Sequence, residues 1–168
     1  MTTTTKPGAV SVTRLIKAPA SRVFAVLADP KRHPSFDGSG MLRDAGDSEP
    51  LRAVGDVFLV AMHNDEMGDY EMRNCVVEFE PDRRIVWEPV LSASSRPEDQ
   101  ADVGQRAHHR WGYELEPHGD ETELTEFFDC SASPDWLRKV VKDGQRWVPA
   151  MESSLDLLDA QFRAAQVI

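Results

Sequence analysis

The segment HRWGYELEPHGDETELTEFFDC, residues 109–130, decides the fold of this chain. Its two halves, 109–116 and 122–130, alternate apolar with polar residues, which is typical of β-strands that bury one face. The turn residues of 117–120 lie between them, so the segment predicts a β-hairpin. A sheet built from such strands has one wet face and must bury the other against a second layer of structure.

The last 36 residues of the chain, 133–168, predict the helix that supplies this second layer. Ser133 is a good N-cap residue, and Pro134 is well suited to the first helical position. Apolar residues then recur at helical spacing and form one stripe, at Leu137, Val140, Val141, Trp147, Val148, Met151, Leu155, Leu158 and Phe162. Gly144 and Pro149 interrupt the stripe, so we expect a kink or a break there.

The region before the hairpin predicts more strands and two short helices. Residues 10–16 alternate like a strand, Pro19 then occupies a first helical position, and Asp29 with Pro30 opens a second short helix. Further strands are predicted over 57–62, over 70–80 and from 85 onward, with a weak strand near 41–42. This order predicts an α+β fold, in which a curved antiparallel sheet of about seven strands wraps on the long C-terminal helix, with the two short helices after strand 1.

The strand over 70–80 changes its outward face part-way along. Charged residues occupy odd positions in its first half and even positions in its second half. A β-bulge near Asn74 or Cys75 would reconcile the two halves and would bend the sheet, as a pocket requires.

Composition and charge limit the partners of the chain. The 168 residues suit one domain, which we place over 10–168 after a flexible tail over 1–9. The chain has 19 Lys and Arg against 29 Asp and Glu, a formal net charge of −10. It contains no run of basic residues, so we expect no nucleic-acid partner.

The chain also lacks the sequence signals of a membrane span or a metal site. No segment approaches the ~20 apolar residues of a transmembrane helix, and the polar start is unlike a signal peptide. Cys75 and Cys130 are the two cysteines, and they do not have metal-ligand spacing. We therefore expect a cytoplasmic protein with reduced thiols, no cofactor and no metal, either a monomer or a homodimer.

Four short motifs follow one another along the chain: IKAPASRVF at 16–24, GDVF at 55–58, VEFEP at 77–81 and ETELTE at 121–126. Together with the order of elements they resemble the helix-grip fold of the START-like (SRPBCC) superfamily, and specifically its polyketide cyclase/dehydratase-like branch. The resemblance implies an elongated cavity for a hydrophobic ligand between sheet and helix. It implies no fixed catalytic residues, because members of the superfamily bind lipids, carry hormones, cyclise polyketides or serve as adaptors.

Residues on the faces toward this cavity are candidate ligand-binding residues, chiefly aromatic residues and methionines of the kind that line small-molecule pockets. They are Phe36, Phe58, Met62, Tyr70, Met72, Trp87, His109, Trp111, Tyr113, Glu126, Phe128, Trp147 and Met151. The alternative is that about half of the aromatic residues and methionines are plain core. The long polar segment over 92–106 is either a mobile excursion or a lid.

Strand parity places Glu126 and His109 on the inner wall of the hairpin. Glu126 alternates in step with the apolar Leu124 and Phe128, and His109 alternates with Trp111 in the neighbouring strand. Burial would raise the pKa of a carboxyl there and keep it available as an acid or base. The alternative is that Glu126 bonds a Tyr hydroxyl or a buried water, and that His109 is only a wall residue.

Three functions remain open at this point. The first is the binding of a small hydrophobic molecule, such as a lipid, a polyketide or an isoprenoid-like compound, in the cavity. The second is a cyclase or dehydratase that uses Glu126 with His109 or Tyr113 for proton transfer. The third is a non-catalytic adaptor that binds a protein partner.

Overall fold

A computed structural model describes residues 1–92 and 106–166 of the chain. The strands are β1 (Thr2–Lys6), β2 (Ala9–Ile16), β3 (Leu42–Asp44), β4 (Val57–Asn64), β5 (Gly68–Glu80), β6 (Arg84–Leu91), β7 (Arg110–His118) and β8 (Glu121–Asp129). The α-helices are α1 (Ala20–Leu27), α2 (Asp135–Val140) and α3 (Val148–Ala165), with 3-10 helices over Pro30–Ser35 and Lys142–Trp147. No helix within the described ranges is both long and apolar enough to cross a bilayer.

The strands form one antiparallel sheet with the spatial order β1-β2-β8-β7-β6-β5-β4-β3. The predicted hairpin over 109–130 is present as β7 and β8, with Tyr113 directly opposite Glu126. The sheet has eight strands, one more than the sequence analysis expects. The predicted α+β class, with a curved antiparallel sheet and a long C-terminal helix, is confirmed.

Strand β1 accounts for the main difference between the predicted and the observed sheet. The sequence predicts a flexible tail over 1–9, whereas β1 pairs with β2 and sets Thr4 opposite Ser11. The sequence of β1 is TTTTK and all five residues are exposed, so the segment has no apolar alternation that would predict a strand. The edge of β2 supplies its backbone partners, and the two short helices consequently follow the second strand of the sheet.

The predicted bulge is present in β5, but it lies further along the strand than expected. The register between β5 and β6 shifts across Val77, whereas the charge pattern pointed to Asn74 or Cys75. Beyond the bulge Phe79 packs edge-on against Phe24 of α1, with the ring centroids 5.4 Å apart. The bulge therefore keeps an apolar side chain inward on both of its sides.

Helix α3 lies across β2 and β8 on the inner face of the sheet. A buried carboxylate holds it there, because Asp159, 1% exposed, accepts a hydrogen bond from Arg14 of β2 at 2.9 Å. Arg163, one turn further along α3, donates to the same carboxylate at 2.7 Å. Leu155 and Leu158 are fully buried in the core. The ion pairs and the apolar stripe together determine where α3 lies on the sheet.

The C-terminal helical region is broken between α2 and α3. Asp143 and Gly144 have φ values of 52° and 92°, which lie outside the α-helical range. The break that the sequence predicts at Gly144 is therefore present. Pro149, by contrast, lies in the first turn of α3, where its missing N–H costs nothing, and it begins the helix instead of interrupting it.

Candidate functional site

A cavity of about 230 Å³ lies between the inner face of the sheet and the segments that cover it. Its walls are mostly apolar and come from strands β3 to β8, from the two 3-10 helices and the loop after the first of them, and from the start of α3. An apolar cavity of about 150 Å³ is large enough to bind benzene. This cavity therefore has room for a compact molecule of one or two rings.

All but one of the predicted ligand-binding residues line this cavity. They are Phe36, Phe58, Met62, Tyr70, Met72, Trp87, His109, Trp111, Tyr113, Glu126, Phe128 and Trp147. Met151 does not line it and is fully buried in the core. Helix geometry explains the difference, because Ala150 and Ser154 share the cavity face of α3, and Met151 points about 100° away from Ala150.

The cavity also has lining residues that the sequence did not predict. They are His33, Asp37, Ser39, Met41, Leu42, Val60, Asn74, Pro89, Ala150 and Ser154. Strand parity could have found Val60, because every second residue of β4 faces inward. The loop residues carry no such periodic signal. Asp37 accepts hydrogen bonds from the backbone N–H groups of Ser39 and Leu42, at 2.9 Å each, and this turn brings the loop to the cavity.

Glu126 of β8 is the most deeply buried polar residue of the cavity wall, with 2% of its surface exposed. Its Oε1 accepts a hydrogen bond from Trp111 Nε1 at 2.8 Å and another from Tyr113 Oη at 3.1 Å. Burial raises the pKa of Glu126 from 4.5 to about 8, and the two hydrogen bonds oppose this rise only in part. The carboxyl group is therefore mostly protonated at neutral pH.

The orientation and the hydrogen bonds of Glu126 can be compared with the two interpretations of this residue. The side chain points inward, as strand parity predicts, and it bonds a Tyr hydroxyl, as the alternative interpretation expects. The register of the hairpin explains the bond, because Tyr113 lies directly opposite Glu126. The hydrogen bonds leave the second carboxyl oxygen, Oε2, without a partner among the described residues.

His109 precedes β7 and lines the same cavity, with its ring centroid 5.6 Å from that of Phe128. Burial lowers the pKa of His109 to about 4, so the imidazole is neutral at pH 7. In the part of the chain that the structure describes, no hydrogen bond joins His109 to Glu126, whose partners are Trp111 and Tyr113. The two predicted acid–base residues thus share one cavity without contacting each other.

A second group of rings lines the cavity around His33. The imidazole stacks on Trp87 with centroids 5.4 Å apart, and it meets Phe58 edge-on at 5.6 Å. Its Nε2 donates to the backbone carbonyl of Leu27 at 2.7 Å. Burial lowers the pKa of His33, so this ring is also neutral. The histidines of the cavity wall therefore carry no positive charge at pH 7.

The segment over 92–106, predicted to be an excursion or a lid, lies almost entirely outside the described residues. Arg106 is the last residue of this segment, and His108 follows shortly after it. Arg106 Nη1 and His108 Nδ1 each lie 3.8 Å from Glu88 Oε1. Within 1–92 and 106–166, no group of three or more His, Cys, Asp or Glu side chains is arranged to hold a metal ion.

Comparison with known proteins identifies relatives of this chain. The family model described as "Activator of Hsp90 ATPase homolog 1-like protein" matches residues 17–149. The uncharacterised protein Rv0088 of Mycobacterium tuberculosis is 30% identical over 128 residues, which cover 76% of this chain and 50% of that protein. The chain therefore spans about half the length of the curated relatives it matches.

Solved structures of distant sequence share the fold. Protein Ms6760 of Mycobacterium smegmatis superposes with a TM-score of 0.66 at 16% identity, and the match covers 98% of each chain. DynU16, a protein in the dynemicin biosynthetic locus, superposes with a TM-score of 0.56 at 20% identity over 90% of this chain and 47% of its own. At these identities the likeness shows the helix-grip fold alone.

Proposed function

This chain belongs to the family of Activator of Hsp90 ATPase homolog 1-like proteins, a family of the START-like (SRPBCC) type, and on that premise we propose that it binds a small, mainly apolar molecule in the cavity beneath α3. The START-like resemblance predicted from the motifs is confirmed by this family match. Proteins of this fold generally bind hydrophobic ligands. The observation that carries the proposal is a cavity of about 230 Å³ with mostly apolar walls.

The physical basis of the proposed binding is the removal of apolar ligand surface from water. Aromatic rings such as Trp87, Phe58 and Tyr113 supply flat, rigid surface against which a ring system can pack. His33 stacks on Trp87 and Phe58 meets Trp87 edge-on, and these contacts hold the rings in place before a ligand arrives, which reduces the entropy lost on binding.

A cavity-filling substitution tests the proposal. Ala150→Phe would place a phenyl ring in the cavity that Ala150 lines, so the bicyclic hydrocarbon tetralin would lose its site. We expect its affinity, measured by isothermal titration calorimetry, to fall at least about 10-fold, which corresponds to about 1.4 kcal/mol. We expect the free energy of unfolding to change by less than about 1.5 kcal/mol, because the added ring fills existing space.

The matched control is Ala160→Phe, which adds the same ring to the exposed side of α3. This variant should bind tetralin like the unmodified chain. Equal tetralin affinity in a folded Ala150→Phe variant, or no tetralin binding by the unmodified chain, would contradict the proposed function.

A second candidate function, acid–base catalysis, is favoured by the protonation states of Glu126 and His109. A protonated Glu126 can donate its proton to a carbonyl oxygen while the neutral His109 accepts a proton from the adjacent carbon, which converts the ketone to its enol. The two groups act on different atoms of such a molecule, so they need no contact with each other.

Deuterium exchange at carbon 2 of 1-tetralone in heavy water, followed by mass spectrometry, tests this second function. We expect Glu126→Gln to lower the protein-catalysed exchange rate at least about 100-fold, because the amide cannot donate a proton. Glu123→Gln, an exposed change on the other face of β8, should leave the rate unchanged. If 1-tetralone exchanges at the same rate with the Glu126→Gln variant as with the unmodified chain, Glu126 is not a catalytic acid.

A further inference from the structure

The charges of the cavity wall exclude one class of ligand. The described lining residues include the carboxyl groups of Asp37 and Glu126, but no Lys and no Arg. The imidazoles of the cavity wall, His33 and His109, are neutral because burial lowers the pKa of each ring. An anion such as a fatty-acid carboxylate would be desolvated there without a counter-charge, which is strongly unfavourable.

Three buried polar atoms of cavity-lining side chains have no hydrogen-bond partner among the described residues. They are Trp147 Nε1, Glu126 Oε2 and His109 Nδ1. Buried polar groups are nearly always hydrogen-bonded, because an unsatisfied donor or acceptor retains the full cost of its desolvation. Their concentration around one cavity indicates a ligand with a polar group of its own.

The hydrogen-bonding capacity of these atoms defines that polar group. The indole N–H of Trp147 can only donate. Oε1 of Glu126 already accepts two hydrogen bonds, so the proton of the neutral carboxyl resides on Oε2, which then also donates. Trp111 connects the two donors, because it bonds Glu126 at 2.8 Å and its ring centroid lies 6.0 Å from that of Trp147.

On the premise of the proposed function, we infer that the cavity takes an uncharged, compact molecule with a hydrogen-bond acceptor, such as a ketone or ester carbonyl, and that Trp147 and Glu126 donate hydrogen bonds to this acceptor. A carbonyl oxygen has two lone pairs and so can accept from both donors. An ammonium group lacks an acceptor for the Trp147 N–H, and a plain hydrocarbon leaves both donors unsatisfied.

Four molecules with the same bicyclic ring system test this inference, namely tetralin, 1-tetralone, 1-aminotetralin and tetralin-1-carboxylate. Their affinities for the full chain are measured by isothermal titration calorimetry at pH 7. We expect 1-tetralone to bind about 10-fold more tightly than tetralin, as one or two net hydrogen bonds provide. The amine and the carboxylate should bind more weakly than tetralin, because each would bring a charge into an apolar site.

Substitution of each donor tests the assignment of the two residues. Trp147→Phe and Glu126→Leu each remove one donor and place an apolar side chain there, so the ratio of 1-tetralone affinity to tetralin affinity, measured on the same variant, should fall about threefold in each. The control is Trp136→Phe, because Trp136 is 62% exposed and does not line the cavity. Circular dichroism verifies folding, and if a variant does not fold, the ligand series on the unmodified chain decides.

The outcomes separate the inference from the function on which it rests. Equal affinity for tetralin and 1-tetralone, or tightest binding of the amine or the carboxylate, would overturn the carbonyl inference and leave the proposed function standing. Failure of all four molecules to bind would overturn the proposed function and the inference together.

Discussion

Glu126→Gln is expected to stabilise the folded chain by a margin that grows as the pH rises from 5 to 8. The buried carboxyl of Glu126 has a pKa of about 8 in the folded state, against 4.5 for the ordinary group. Its contribution to stability is therefore fully present below pH 4.5 and is lost as the pH rises through 8. Glutamine stays neutral throughout, and its amide oxygen can still accept from Trp111 and Tyr113.

Several titratable groups surround this carboxyl, so the comparison has to be a difference between two chains. The negative charge of Asp37 reinforces the rise in the pKa of Glu126, and Tyr113 has a raised pKa of its own. His109 acts with the opposite sign, because its pKa is lowered from 6.5 to about 4. The contribution of His109 is present above pH 6.5 and is lost as the pH falls through 4, and it cancels when the variant is compared with the unmodified chain.

Urea denaturation at pH 5, 6, 7 and 8 measures the margin. Each pKa unit corresponds to about 1.4 kcal/mol, so we expect Glu126→Gln to gain about 3 kcal/mol between pH 5 and pH 8 relative to the unmodified chain. The control is Glu123→Gln, whose exposed side chain lies on the opposite face of β8 and should give a margin below about 0.5 kcal/mol at every pH. A margin for Glu126→Gln that does not vary with pH would contradict the pKa assigned to the carboxyl.

Gly38→Ala is expected to lower the free energy of unfolding by about 3 kcal/mol, a value typical of severe steric overlap in a packed region. The backbone N–H of Gly38 donates to Ser154 Oγ at 2.8 Å, which fastens the loop after the first 3-10 helix to α3. A Cβ atom at this position would overlap the backbone oxygen of Ala150 and would lie 2.5 Å from the backbone nitrogen of Ser154. Helix backbone cannot yield locally, so the loop would have to move away from α3.

The matched control for this substitution is Gly40→Asn, two residues further along the same loop. A Cβ atom at Gly40 meets no other atom within 4 Å, and Asn tolerates the left-handed φ of 67° better than most residues. We expect this variant to lose less than about 1 kcal/mol in urea denaturation. If Gly38→Ala unfolded at the same urea concentration as Gly40→Asn, the close approach of loop and helix would not be a source of stability.

Loss of the contact at Gly38 should also affect the cavity. Asp37 and Ser39 line the cavity from one side of this contact, and Ala150 and Ser154 line it from the other. A loop displaced from α3 would open the cavity to water and weaken the apolar binding on which the proposed function depends. Tetralin affinity in the folded fraction of Gly38→Ala should therefore fall as well.

The inner faces of the hairpin strands could be predicted from the sequence alone. Leu124, Glu126 and Phe128 are each no more than 2% exposed, as their alternation predicts. Side chains alternate across any β-strand, so parity identifies a buried face without knowledge of the partner strands. The break at Gly144 was predictable for a similar reason, because helix propensity depends on the local backbone.

Only the tertiary structure decided which groups meet within the cavity. In the folded chain the loop after the first 3-10 helix packs against α3, and Met151 is buried in the core. Glu126 is hydrogen-bonded to Trp111 and Tyr113 and not to His109. The tertiary structure also adds β1 to the edge of the sheet. Strand register and loop docking depend on contacts between residues far apart in the chain, and local periodicity carries no information about such contacts.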